Sequence, residues 1–132
     1  MHKSRLAGFI IDCQAQDGKA GLEAAARFWS AALGMPMEHF QGVEGQTYIG
    51  LQTRPHAGLH IEVQTVEHPS RVHLDIESDD IPAEVARLEA LGARRIGPVK
   101  TWVVMEAPTG QRFCVISAKN SPGFEEGANS WR

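Results

Sequence analysis

Three short runs set side chains that can do chemistry at strand spacing: Arg71-Val72-His73-Leu74-Asp75-Ile76-Glu77, Gly58-Leu59-His60-Ile61-Glu62-Val63 and Gly110-Gln111-Arg112-Phe113-Cys114-Val115. In the first, Leu74 and Ile76 alternate with His73, Asp75 and Glu77, so an extended chain shows an apolar row to a core and a polar row to the other face. His73 in that polar row serves as a ligand or general base in a pocket, or hydrogen-bonds a neighbouring strand. His60 and Glu62 share a face about 7 Å apart and could flank one bound group, although a solvated sheet face reads identically. Arg112 could hold an anionic substrate group, and it reads equally as a solvent-facing arginine beside a turn. Cys114, between Phe113 and Val115, also fits a small buried thiol. Asp75 and Glu77 read as local hydrogen-bonding groups, Glu77 lying close to a helix entry. Tyr48, Trp102 and Met105 could each wall an apolar pocket, and Trp29 falls on an apolar helical face as core. No activated serine or cysteine elbow and no glycine-rich phosphate loop is present.

The elements that must position these groups follow from periodicity. Leu6 to Cys13, rich in β-branched and aromatic residues, predicts a first strand. After a polar loop, Leu22, Ala25, Ala26, Trp29, Ala32 and Leu33 mark one helical face, and Gly34 stops that helix. Short strands are expected at Met37 to Phe40, Thr47 to Gln52 and Gly58 to Gln64, the last two joined by a loop around Pro55. The His73 strand then runs into Asp79 and Asp80, which cap a helix from Ile81 to Leu91 with Pro82 in its first turn and Gly92 as its stop. Strands at Ala93 to Ile96, Thr101 to Glu106 and Arg112 to Ser117 complete the series.

Each half is therefore strand, helix and three strands. Phe9-Ile10-Ile11 overlays Leu74-Asp75-Ile76, Gly34 overlays Gly92, and the His60-Glu62 run overlays the Arg112-Cys114 run. Order and turn glycines both recur, which is the mark of an internal duplication.

At 132 residues the chain is long enough for one domain with its own core. A net charge of -3 and a pI near 6.0 supply no basic field for nucleic acid, so no nucleic-acid partner is expected. No apolar run reaches the length of about 20 residues that a bilayer requires, and no membrane association is expected. Cys13 and Cys114 form no CxxC pattern, and a reduced, cytoplasmic protein is the expectation.

The duplication, together with Ala26-Arg27-Phe28-Trp29-Ser30-Ala31-Ala32-Leu33-Gly34, Arg71-Val72-His73-Leu74-Asp75-Ile76 and Ala107-Pro108-Thr109-Gly110-Gln111-Arg112-Phe113-Cys114, resembles the glyoxalase/bleomycin-resistance/dioxygenase superfamily, also called vicinal oxygen chelate. The resemblance runs from Leu6 to Ser117 and is to the small glyoxalase-like proteins. It implies an α+β fold in which two tandem βαβββ modules form a cup-shaped mixed sheet with the helices outside. A single domain over 1–118 is expected, with modules of about 5–65 and 71–118, followed by a flexible tail at 119–132. A homodimer is expected as well.

The resemblance further implies a divalent metal, held by a histidine on the first strand and a glutamate on the last strand of each module. In this chain those positions are Gly8, Glu62, His73 and Cys114. Gly8 has nothing to ligate with, Glu62 and His73 are ligands of the usual kind, and Cys114 would ligate as a thiolate, suiting zinc.

Two functions follow for a small-molecule ligand in the concave pocket. One is a metal-assisted lyase, isomerase or dioxygenase-type enzyme, with His73 and Glu62 catalytic and His60, Arg112, Trp102 and Tyr48 binding substrate. The other is capture of a drug or metabolite without chemistry, as in the bleomycin-resistance branch. A regulatory or structural protein with a vestigial pocket is a third. Convergence of His73 and Glu62 is expected, because the Thr65 to Arg71 link spans at most about 3.3–3.6 Å per residue.

Overall fold

Strand alternation and helical periodicity are both realised in the computed structural model, which describes residues 1–53 and 58–132. The expected loop around Pro55 lies outside the described residues. The fold is mixed α+β, and the chain divides into two compact units, Gly8–Val72 and Met1–Ala7 with His73–Arg132. Residues Met1–Ala7 thus group with the second half of the sequence.

The unit Gly8–Val72 contains most of strand β1 (His2–Gln14), helix α1 (Gly18–Leu33), and strands β2 (Met37–His39), β3 (Tyr48–Leu51) and β4 (His60–Val66). Its strands run β2-β3-β4-β1, with β4 parallel to β1 and the other pairs antiparallel. Gly34 ends α1 at φ 67, a left-handed conformation that a side chain would resist. Leu22 and Ala26 of α1 are buried against Ile49, Leu51 and Val63, with Ile11, Cys13, Trp29 and Ile61 packed around them. Alternation sends Ile10, Tyr48, Gly50, His60 and Glu62 to the face that α1 does not cover.

The other unit contains β5 (Arg71–Ser78), α2 (Ile81–Ala90), β6 (Arg94–Val99), β7 (Trp102–Glu106), β8 (Arg112–Ser117), α3 (Phe124–Gly127) and β9 (Asn129–Trp131), apart from the first two residues of β5. Its sheet runs β5-β8-β7-β6, with β5 parallel to β8 and the others antiparallel. Asp80 caps α2 as expected, its carboxylate accepting from the Ala83 N–H at 3.0 Å. Val85 and Leu88 of α2 pack on Val103, Met105, Phe113 and Val115, and Ile76 joins them. Met105 is therefore core, fully buried on the face that α2 covers. The polar row of β5 points the other way, with Asp75 and Glu77 each only 6% exposed.

Residues 119–132 are not a loose tail. β9 pairs antiparallel with the start of β1, and Phe124 is buried. Arg5 anchors the segment, donating to the carbonyls of Gly123 and Pro122, both at 2.9 Å, while its Nε reaches Glu77 at 2.6 Å. A stretch rich in Asn, Ser, Pro and Gly looks unstructured by composition. One arginine that satisfies its turn carbonyls and two aromatic anchors, Phe124 and Trp131, are enough to dock it.

Candidate metal centre

His73 and Asp75 are two residues apart on β5, so both point to the face that α2 leaves uncovered. Asp75 is the parallel-strand partner of Cys114 on β8, which brings the thiol to the same face. The side-chain ligand atoms of His73, Asp75 and Cys114 all lie within 4.8 Å of one another. The His73 Nε2 is 3.6 Å from Asp75 Oδ1. Cys114 is partly buried and free of any disulfide. One imidazole nitrogen, one carboxylate oxygen and one thiol sulfur are a donor set of the zinc class.

Asp75 is the member that sequence reasoning assigned to local bonding. The signal for it was available in the overlay of the halves: the register that sets Ile10 against Glu62 in one unit sets Asp75 against Cys114 in the other. Glu77, further along the same row, bonds Arg5 and Ser121 and serves the docking of the C-terminal segment.

Trp102 and Arg112 share the uncovered face of this unit, since Val104 pairs with Cys114 and Glu106 with Arg112. Lys100 Nζ lies 5.8 Å from the centre of the Trp102 ring. The Arg112 Nε donates to Glu106 at 3.1 Å, and Arg94 donates to the same carboxylate at 2.9 Å. Those two guanidiniums, Arg94 foremost, hold the Glu106 carboxyl below its ordinary range.

The remaining candidates belong to the Gly8–Val72 unit. His60 and Glu62 line an open cleft of about 460 Å³ together with Glu38, Phe40, Gln52 and Thr53. The Tyr48 hydroxyl accepts from Gln64 Nε2 at 3.0 Å. Glu62, expected beside His73, is thus in a different unit from the His73 cluster.

Gly8 shows why its position carries no ligand. A Cβ there would press into the carbonyl oxygen of His60, its strand partner, and stand 2.7 Å from the His60 ring. The close approach of β1 and β4 excludes any side chain at this point.

Comparison with known proteins agrees with this fold. The family model of the glyoxalase-like domain matches residues 11–116. A comparison with curated proteins gave no match. Among solved structures, a hypothetical protein from Bacillus halodurans C-125 aligns over 86% of this chain and 94% of its own, at 12% identity and a TM-score of 0.61. A variant of Streptomyces coelicolor methylmalonyl-CoA epimerase, in complex with 2-nitronate-propionyl-CoA, aligns over 89% of this chain and 96% of its own, at 14% identity and a TM-score of 0.59. The methylmalonyl-CoA epimerase of Mycobacterium tuberculosis aligns over 85% and 86%, at 14% identity and 0.53. At these identities the structures speak for the fold alone. The chain belongs to the glyoxalase-like domain family of the vicinal oxygen chelate superfamily.

Among the described residues, no helix is long and apolar enough to cross a membrane.

Proposed function

We propose that this chain is a metal-assisted enzyme of the glyoxalase type, acting by proton transfer on a small organic substrate with neighbouring oxygens. The observation that carries the reading is the convergence of His73, Asp75 and Cys114. The thiol selects a zinc-class ion over magnesium or manganese, and three protein ligands leave the open position that a substrate needs. A bound ion of this class polarises a substrate oxygen as a Lewis acid.

The chain's own groups do the rest. His73 and Asp75 would hold the ion with Cys114 on the uncovered face, and Trp102 with Val104 offers an apolar surface on the same side. Elemental analysis and zinc titration of the purified protein test the reading. One equivalent bound, and lost in His73→Ala, supports it; no binding at micromolar zinc overturns it.

A second reading rests on the cleft of the Gly8–Val72 unit. There His60 and Glu62 beside Phe40 suit capture of an organic ligand through hydrogen bonds on a partly apolar wall. Its test is ligand-induced thermal stabilisation that disappears in Glu62→Ala. The two free cysteines fit a reducing compartment such as the cytoplasm. Exposed Val72 and Leu74 on β5 give apolar surface that a second copy can cover, and light scattering at micromolar concentration tests the homodimer.

A further inference from the structure

We propose that the site formed by His73, Asp75 and Cys114 responds to peroxide, a hydroperoxide oxidising Cys114 so that the site gives up its ion. The inference rests on the metal-binding reading above and names a form of control for the same site.

The donor set is the starting point. Its three convergent groups come from two neighbouring strands of one unit, and only one of them, the sulfur, undergoes two-electron oxidation under mild conditions. Loss of that one donor leaves an imidazole and a carboxylate. Two donors hold a zinc-class ion far less well than three. Removing even an outer partner of a ligand costs about 10–100-fold in affinity, so loss of a ligand itself costs at least that.

Access is the second requirement. Cys114 is only partly buried and stands on the strand face that α2 does not cover, with Val104 as its cross-strand neighbour. Hydrogen peroxide, little larger than water, is the oxidant suited to a thiol with that little exposure. Cys13 offers a contrast within the same chain. It packs beside the Leu22 and Ala26 cluster, and burial pushes its thiol above the ordinary range, keeping it protonated and slow to react.

The step balances without any further reactant. The Cys114 thiolate sulfur attacks one peroxide oxygen; an S–O bond forms, the O–O bond breaks, and hydroxide leaves. Sulfur gives up two electrons and the peroxide oxygens take them. The product is a sulfenic acid, neutral and a poor ligand. The cluster contains a single thiol, so the sulfenic acid awaits an external thiol, which reduces it and restores the donor.

The test uses the full chain loaded with zinc in the presence of a colorimetric zinc chelator. Stoichiometric hydrogen peroxide should release about one equivalent of zinc, mass mapping should place one added oxygen on Cys114, and dithiothreitol should restore binding. Cys114→Asp keeps three donors with an oxygen in place of sulfur, and peroxide should no longer release its zinc. Cys13→Ser should respond as the unaltered chain does. Zinc retained by the unaltered chain while Cys114 is oxidised overturns the proposal and leaves the metal reading standing. Equal release from Cys114→Asp also overturns it. Failure of the unaltered chain to bind zinc at all overturns the metal reading and the proposal together.

Discussion

The guanidinium carbon of Arg87 lies 3.9 Å from the centre of the Trp131 ring. The same arginine bonds the fully buried Glu84 through Nε and Nη2, and the Trp131 indole N–H donates to Ser4 at 2.8 Å. The last strand, the first strand and α2 therefore meet around one arginine. Trp131→Ala should cost about 1–3 kcal/mol, from the cation–π contact, the indole hydrogen bond and lost apolar burial. Chemical denaturation checks the value, and an unchanged midpoint would show that the segment only rests on the surface.

Glu84 gives the protein a defined acid sensitivity. Burial alone would raise its pKa, but hydrogen bonds from Arg87, Ser4 and His2 outweigh that and leave it below the ordinary value of 4.5. A carboxyl whose folded pKa is lowered adds stability above its unfolded value, and that stability is lost as pH falls from about 4.5 through the lowered value. Glu84→Gln should therefore flatten the acid limb of the stability profile. At neutral pH it should cost about 3 kcal/mol, the low end for breaking a buried pair, because the Arg87 side chain keeps 25% of its surface exposed. Urea midpoints measured from pH 3 to pH 7, as a general acid range, decide the matter.

Asp75→Asn keeps the shape of the side chain but weakens it as a ligand. Zinc affinity should fall at least about tenfold while the melting temperature of the metal-free protein changes little. Calorimetric titration gives the first quantity and thermal unfolding in chelator the second. A drop in both would mean that Asp75 serves the fold and not the ion.

At Gly8 the added methyl of an alanine should cost about 1–3 kcal/mol, the range for overpacking a close contact. Gly8→His should destabilise at least as much and add no metal ligand, because the space beyond the backbone is taken by His60. Restored four-ligand affinity in that variant would refute the steric account.

What could be read in advance was whatever depends on local chemistry. Asp80 as a cap and Gly34 as a left-handed stop follow from residue type, and the structure agrees. On β5 period alone was less reliable: Ile76 packs on the core as expected, but Leu74 is 42% exposed while Asp75 and Glu77 of the polar row are buried. Asp75 was harder, because a carboxylate in a polar strand row reads equally as a local hydrogen-bonding group, and its partnership with Cys114 depends on strand register. The closed space at Gly8 was illegible for a similar reason: how closely two backbones approach is set by the sheet and not by either strand. The docking of 119–132 was missed because Arg5 lies 116 or more positions from the groups it holds there.

The pairing of His2 with Trp131, Lys3 with Ser130 and Ser4 with Asn129 has a mechanical consequence. Two antiparallel strands pulled apart from the same end of the pair, as at His2 and Trp131, open like a zipper, breaking their bonds one after another. Strands sheared along their length resist together. A load applied between Met1 and Arg132 should thus free β9 at low force.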